Sequence, residues 1–423
     1  MKPTRTIVAG LAAAALTLTT WGGHAAAESD AVTITVSGWS LATTPEFQTL
    51  AEGFHAAYPE YAVELVEYDA AEYNTLLTAD LAAGAGPDVI TQKEVKYVPV
   101  LVDGGQLLDV SDVEVPAELG GTESYQVDGV TYAVPYRMDS WVLFYNQDLY
   151  EAAGVAPPDG SWTWDDYVAA LEELQAALPD GTYAAYQHNW QSTAQGLANA
   201  QSGADILSGD FAHLAGPYER TLALQDGGLQ VDYNTAVANQ LTYQGEFGTQ
   251  NAANMIMGTW YVATLIAQQA SGDADTFTWG IAPAPQATAE TAGTENTPVT
   301  FGDPTGFGIN AGIDDDKLEA AKAFLAFAAS EDAAASLAAI GITPALINDT
   351  VTEAYFAVEG APTDELSQFA WSTHDTHPEN PTSSNTAAVQ GILGDLHTAV
   401  MSESTSIDDA ISDAEGRFAN EVG

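Results

Sequence analysis

Val32-Thr33-Ile34-Thr35-Val36 alternates apolar and polar residues at period two and runs into Gly38-Trp39-Ser40. That pattern predicts a half-buried strand ending in a loop. Thr44 and Pro45 then read as an N-cap and a first helical residue, and Phe47, Leu50, Ala51, Phe54 and Tyr58 recur at helical spacing until Pro59 stops them. A second strand through Val63 and Leu65, a helix carrying Tyr73, Leu76, Leu77 and Leu81, the turn Gly84-Ala85-Gly86-Pro87 and a third strand through Val89-Ile90 follow. Strand, helix, strand, helix, strand predicts a parallel α/β layout. Open parallel sheets bind ligands in crevices beyond the carboxyl ends of their strands, so Gly38-Trp39-Ser40 is a loop in which to seek ligand contacts.

The alternation resumes after Pro135. Val142 to Tyr145 reads as a strand, Leu149 to Ala153 as a short helix closed by Gly154, and Thr163 caps a longer helix carrying Val168, Leu171, Leu174 and Leu178. Further helices are expected near residues 237–247, 261–269, 318–329 and 407–418. Lys2 and Arg5, the apolar stretch from Ile7 to Thr20 and Ala25-Ala26-Ala27 read as a secretory signal over residues 1–27. Its apolar stretch is too short to span a membrane, and no later segment comes closer, which predicts an exported soluble protein. Roughly 395 residues beyond the leader exceed what one core usually organises, so two lobes are expected.

Cysteine is absent, which excludes disulfides, a cysteine nucleophile and cysteine-based metal sites. The 59 acidic residues face 9 Lys plus Arg, a net charge of −50 that becomes −52 without the leader's Lys2 and Arg5. Nucleic acid and anionic lipid both need a basic footprint, so neither is an expected partner. The acids are dispersed among apolar periodic segments, which predicts a folded, acid-coated exterior adapted to high salt or high pH. No Gly-x-Ser-x-Gly elbow, His-Glu-x-x-His helix or Gly-Lys-Ser phosphate loop occurs. His374 and His377 stand three apart, but with seven scattered histidines this spacing reads as coincidence; neither metal nor cofactor is expected.

The run from Tyr125 to Leu149, with Gly129, Tyr132, Pro135-Tyr136, Tyr145-Asn146 and Asp148-Leu149, resembles the G-x-x-Y-x-x-P-Y … Y-N-x-D-L signature of family 1 extracellular solute-binding proteins, the maltose-binding-like subunits of ABC importers. Residues 84–90, Trp162 to Asp166, Ala252 to Trp260, Trp279 to Pro285 and Gly341 to Pro344 resemble further family segments in the family's order. The resemblance implies two discontinuous α/β lobes of the type II periplasmic-binding-protein kind, joined by hinge crossings near Met138-Asp139, Pro283 to Pro285 and Ala328-Ala329. The lobes would comprise residues 28–138 with 286–328, and 139–285 with 329–423. It also implies capture of a carbohydrate, delivery to the importer's membrane permease, and a monomer at the periplasmic or extracellular face. Gram-positive relatives usually carry a lipid-modified cysteine at the cleavage site; this chain has none.

Site residues follow from the same resemblance. Trp260, with Tyr261 beside it, matches the family's pocket aromatic, whose flat face suits the C–H face of a pyranose. Asp139 matches an acidic position that accepts sugar hydroxyls, with Arg137 as its neighbour. Trp39, Gln92, Trp190 and Asp303 are further candidates, and Trp371 stands in for an aromatic that maltose-type relatives place where this chain has Ser383-Ser384-Asn385. A phosphate ligand would need more positive charge than Arg137 and Lys93 supply. The competing class is a secreted glycoside hydrolase, which needs two carboxylates about 5–10 Å apart.

Overall fold

The computed structural model describes residues 31–42 and 45–423. The expected signal peptide and the Thr44 cap lie outside these residues. Twelve strands are described: β1 (Val32–Trp39), β2 (Tyr61–Tyr68), β3 (Val89–Gln92), β4 (Gln126–Val127), β5 (Val130–Thr131), β6 (Val134–Met138), β7 (Trp141–Asn146), β8 (Asn254–Gly258), β9 (Trp279–Pro283), β10 (Val299–Phe301), β11 (Pro304–Ile309) and β12 (Asp375–His377). They form two main sheets, ordered β2-β1-β3-β11-β6 and β8-β7-β9.

In the first sheet β1 is parallel to β2 and β3, as the strand–helix–strand–helix–strand order predicts. β11 runs antiparallel to both β3 and β6, and in the second sheet β7 is antiparallel to both neighbours. The parallel layout therefore stops at β3. All six residues of β7 are buried, so its apolar run looks the same whichever way its neighbours point. The helix Trp164–Gln175 begins at a capping box in which Thr163 accepts from the Asp166 N–H and the Asp166 carboxylate accepts from Thr163. The helix expected near 237–247 is two short ones, Tyr233–Ala238 and Tyr243–Gly248, separated by Gln240 at φ +53° and restarted by a Thr242 cap.

One core runs beneath both sheets. Ile34, Val36 and Phe54 fill it on the first side and Val142, Phe144 and Met257 on the second. The helices Glu46–Ala57 and Leu318–Ala328 meet on the first sheet, with the Phe54 and Phe324 rings edge-on at 5.3 Å.

Chain passages between the sheets pack against one another. Met138 to Trp141 joins β6 to β7, and Gly302-Asp303 joins β10 to β11; a Cβ on Gly302 would stand 2.0 Å from the Asp139 carbonyl oxygen. β10 pairs with β12 and packs on the helix Ser192–Ser202, so this return lies later than Pro283 to Pro285. The helix Glu331–Ala338 packs on Glu46–Ala57, whereas Glu365–Ser372 packs on β9, which moves the last passage beyond Ala328-Ala329. Ala333, Ala334, Leu337 and Ala338 form a buried alanine-rich face that carries no local mark of the sheet it will cover.

Candidate ligand-binding cleft

A cavity of about 1050 Å³ opens where the two sheets and the passages meet. Trp39 lines it from the end of β1, held edge-on by Phe47 at 5.0 Å and Tyr73 at 5.3 Å, with the Lys93 ammonium 5.3 Å from its ring. The opposite wall is aromatic. Trp141 stacks on Phe301 at 4.8 Å and meets Trp260 edge-on at 5.4 Å. Trp260 opens the helix Trp260–Ser271, and its ring lies across Gly258, where a Cβ would be 1.9 Å from the indole; the small residue in this segment is what lets the ring lie there. Trp190, 41% exposed, packs with His188 at 4.5 Å and Tyr243 at 5.7 Å.

The polar floor is built from the passages. Arg137 donates from Nε to Asp139 and from Nη1 to Glu46, each at 2.7 Å. Burial alone would lower the Arg137 pKa, but Asp139 and Glu46 together raise it well above its ordinary value. Asp139 also accepts from the Thr259 hydroxyl at 2.9 Å, so residues of both lobes fix it. A carboxylate has about four lone-pair sites, which leaves Asp139 able to take ligand hydroxyls.

Asp303 accepts the Glu379 N–H at 3.0 Å, the Asn380 N–H at 3.2 Å and the Asn380 side-chain amide. Burial raises the Asp303 carboxyl above its usual range in spite of these donors, and raises Glu379 likewise, with Asp303 adding repulsion. Two such groups facing each other retain a proton between them at a pH where an exposed pair would be fully ionised. Lys96, which pairs with Glu94 at 3.0 Å, offsets part of this charge.

Six of the nine residues singled out in the sequence line this cavity: Trp39, Arg137, Asp139, Trp190, Trp260 and Asp303. Three do not. Gln92 is 3% exposed within β3, its amide turned to the Ile90 carbonyl. Tyr261, one residue beyond Trp260 and so about 100° round the helix, is fully buried against Phe144 and Phe247. Trp371 is fully buried, stacked on Tyr355 at 4.3 Å and donating to Thr343. Trp141, Tyr243, Lys96, Glu379 and Asn380 line the cavity without having been singled out. Of these only Trp141, inside the Tyr125 to Leu149 run, had a sequence signal that could have found it.

Two α/β lobes with an aromatic and carboxylate-lined cleft between them define a two-lobed binding protein. The chain belongs to the bacterial extracellular solute-binding proteins, whose family model matches residues 38–335. It is 30% identical to a sugar transporter from Rhizobium etli solved in an open conformation, covering 91% of this chain and 98% of that one with a TM-score of 0.80. An ABC substrate-binding protein from Listeria monocytogenes in complex with cycloalternan shares the fold at 19% identity and a TM-score of 0.75, over 92% of this chain and 99% of that one. An arabinooligosaccharide-binding protein of Halalkalibacterium halodurans is 28% identical over 137 residues, 30% of each chain. The chain spans about a third of the length of the curated relatives it matches.

Proposed function

We propose that this protein is the exported ligand-capturing subunit of an ABC importer, taking a mono- or oligosaccharide into the cleft and presenting it, with the lobes closed, to the membrane permease. The observation that carries the reading is the lining itself: the indoles of Trp39, Trp141 and Trp260 share one cavity with the Asp139 carboxylate. Aromatic faces cover the C–H faces of a pyranose, and the carboxylate orders its hydroxyls. The Rhizobium sugar transporter and the arabinooligosaccharide-binding protein support a sugar as the ligand class. Among the described residues no helix is long and apolar enough to cross a membrane, in keeping with capture outside it.

A phosphorylated ligand fits less well. Arg137 is committed to two carboxylates and Lys96 to Glu94, while Lys93 donates to the Ala70 carbonyl. Asp303 and Glu379 add further negative charge to the same cavity. A neutral polyol meets no such repulsion. A thermal-shift screen of mono-, di- and trisaccharides tests the reading, since a ligand at about 100 times its dissociation constant adds about 2.7 kcal/mol to stability. A neutral sugar that raises the midpoint and is recovered unaltered supports capture. A panel without a shift, or hydrolysis of the sugar, contradicts it.

A further inference from the structure

Away from the cleft, within the second lobe, a small, partly open cavity of about 30 Å³ lies among the helix Trp164–Gln175, the helix Ala215–Asp226 and residues 186–194 and 230. Arg220 lines it. Its guanidinium lies 3.7 Å from the Trp164 ring centroid, and among the described residues it makes no ion pair within 4.0 Å. The two other described arginines differ sharply: Arg137 holds Glu46 and Asp139, and Arg417 holds Asp395 and Glu421. In a chain with 59 acidic residues, a part-buried guanidinium that Asp165 reaches only from beyond ion-pair distance is a specific arrangement.

Of the other polar side chains of the cavity, Tyr186, Gln187 and Thr193 have hydrogen-bond partners within the chain, and three more have none. Thr221 and Gln230 are 4% and 3% exposed, and Tyr167 is 4% exposed. Among the described residues neither the Thr221 hydroxyl, the Gln230 amide nor the Tyr167 hydroxyl makes a hydrogen bond within the chain, and all three line the cavity with Arg220. No carboxylate lines it. Burial lowers the Arg220 pKa to about 10, which leaves it charged at neutral pH. A part-buried cation without an ion pair, beside a set of hydroxyl and amide groups that can donate, suits a negative occupant. The indole face compensates only part of the charge. The volume admits about one or two water-sized occupants, too few for a phosphate or a sugar. Water alone would satisfy the hydroxyls and the amide and leave the cation with only the Trp164 ring and the more distant Asp165 as compensation.

We infer that this cavity is a structural anion site that holds one chloride-sized monovalent anion between the Arg220 guanidinium and the donors of Thr221, Gln230 and Tyr167. The anion locks the helices Trp164–Gln175 and Ala215–Asp226 together behind the aromatic wall of the second lobe.

Bromide is the probe. In crystals soaked in sodium bromide, an anomalous peak is expected in this cavity; a map in which only water refines there overturns the inference. In solution, unfolding midpoints are compared in sodium bromide and in sodium gluconate at equal ionic strength, gluconate being too large to enter. The wild-type chain should show an additional, saturable rise in bromide. Arg220→Gln should lose most of that rise while keeping its response to gluconate. Thr221→Val, which keeps shape and charge, should raise the bromide concentration at half-effect by about tenfold. Equal midpoints in the two salts for the wild-type chain, or a full bromide increment in Arg220→Gln, would overturn the inference.

Discussion

Trp260 stands edge-on to Trp141, ring centroids 5.4 Å apart at 89°, so one indole braces the other at the cleft wall. Trp260 is itself only half-buried, with a face left to the cavity. Trp260→Ala should weaken sugar binding by about 2–4 kcal/mol, since it removes an aromatic anchor. Folding stability should fall by much less. Calorimetric titration and urea unfolding of the variant separate the two effects. Unchanged affinity would remove Trp260 from the site.

The legible part of this fold is where local pattern and tertiary role coincide. Val32, Ile34 and Val36 repeat at period two because one face of β1 meets the core, and Gly258 before Trp260 marks a ring lying across backbone. Strand direction around β7 was not legible, because a strand buried on both faces records no neighbour. Trp371 and Tyr261 look like Trp260 in composition, and only long-range packing against Tyr355 and Phe144 assigns them to the core. Glu379 and Asn380 gain their place from Asp303, 76 and 77 residues earlier, a relation with no local signal.

Arg137 neutralises Glu46, whose side chain is fully buried, and Asp139, 8% exposed. Arg137→Met should therefore cost about 3–5 kcal/mol of folding stability, because two buried carboxylates lose their partner. Denaturant unfolding measures it. Adding Glu46→Gln and Asp139→Asn to the same variant should restore part of the loss, and a single variant as stable as wild type would contradict the network's role.

The response to pH has two opposed parts. Burial lowers His188 and His397 from 6.5 to about 4, so between those values the unfolded chain binds protons that the folded chain refuses, and stability falls as the medium is acidified. Asp303 and Glu379 are raised instead, so the folded pair keeps protons that the unfolded chain releases, and its contribution is lost as pH rises from roughly 4 towards neutral and above. Glu379→Gln should consequently raise the unfolding midpoint at pH 8 and leave it nearly unchanged at roughly pH 4. A midpoint lowered at both values would contradict the assignment.

A net charge of −50 repels itself across the whole surface. Raising salt from about 0.1 M to about 1 M shortens the screening length from about 10 Å to about 3 Å. The unfolding midpoint should climb in sodium chloride and also in sodium gluconate, whose anion is too large for the Arg220 cavity. A flat or falling midpoint in both salts would refute the salt-adapted reading of the acidic surface.

Small-angle scattering of the protein with and without a saturating sugar tests capture by lobe closure most directly. Rotation of one lobe onto the other across the Met138 to Trp141 and Gly302-Asp303 passages should reduce the radius of gyration when the sugar binds, and Trp260→Ala should need more sugar to reach the same compact state. Superimposable curves for free and calorimetrically saturated protein would contradict closure around the cleft.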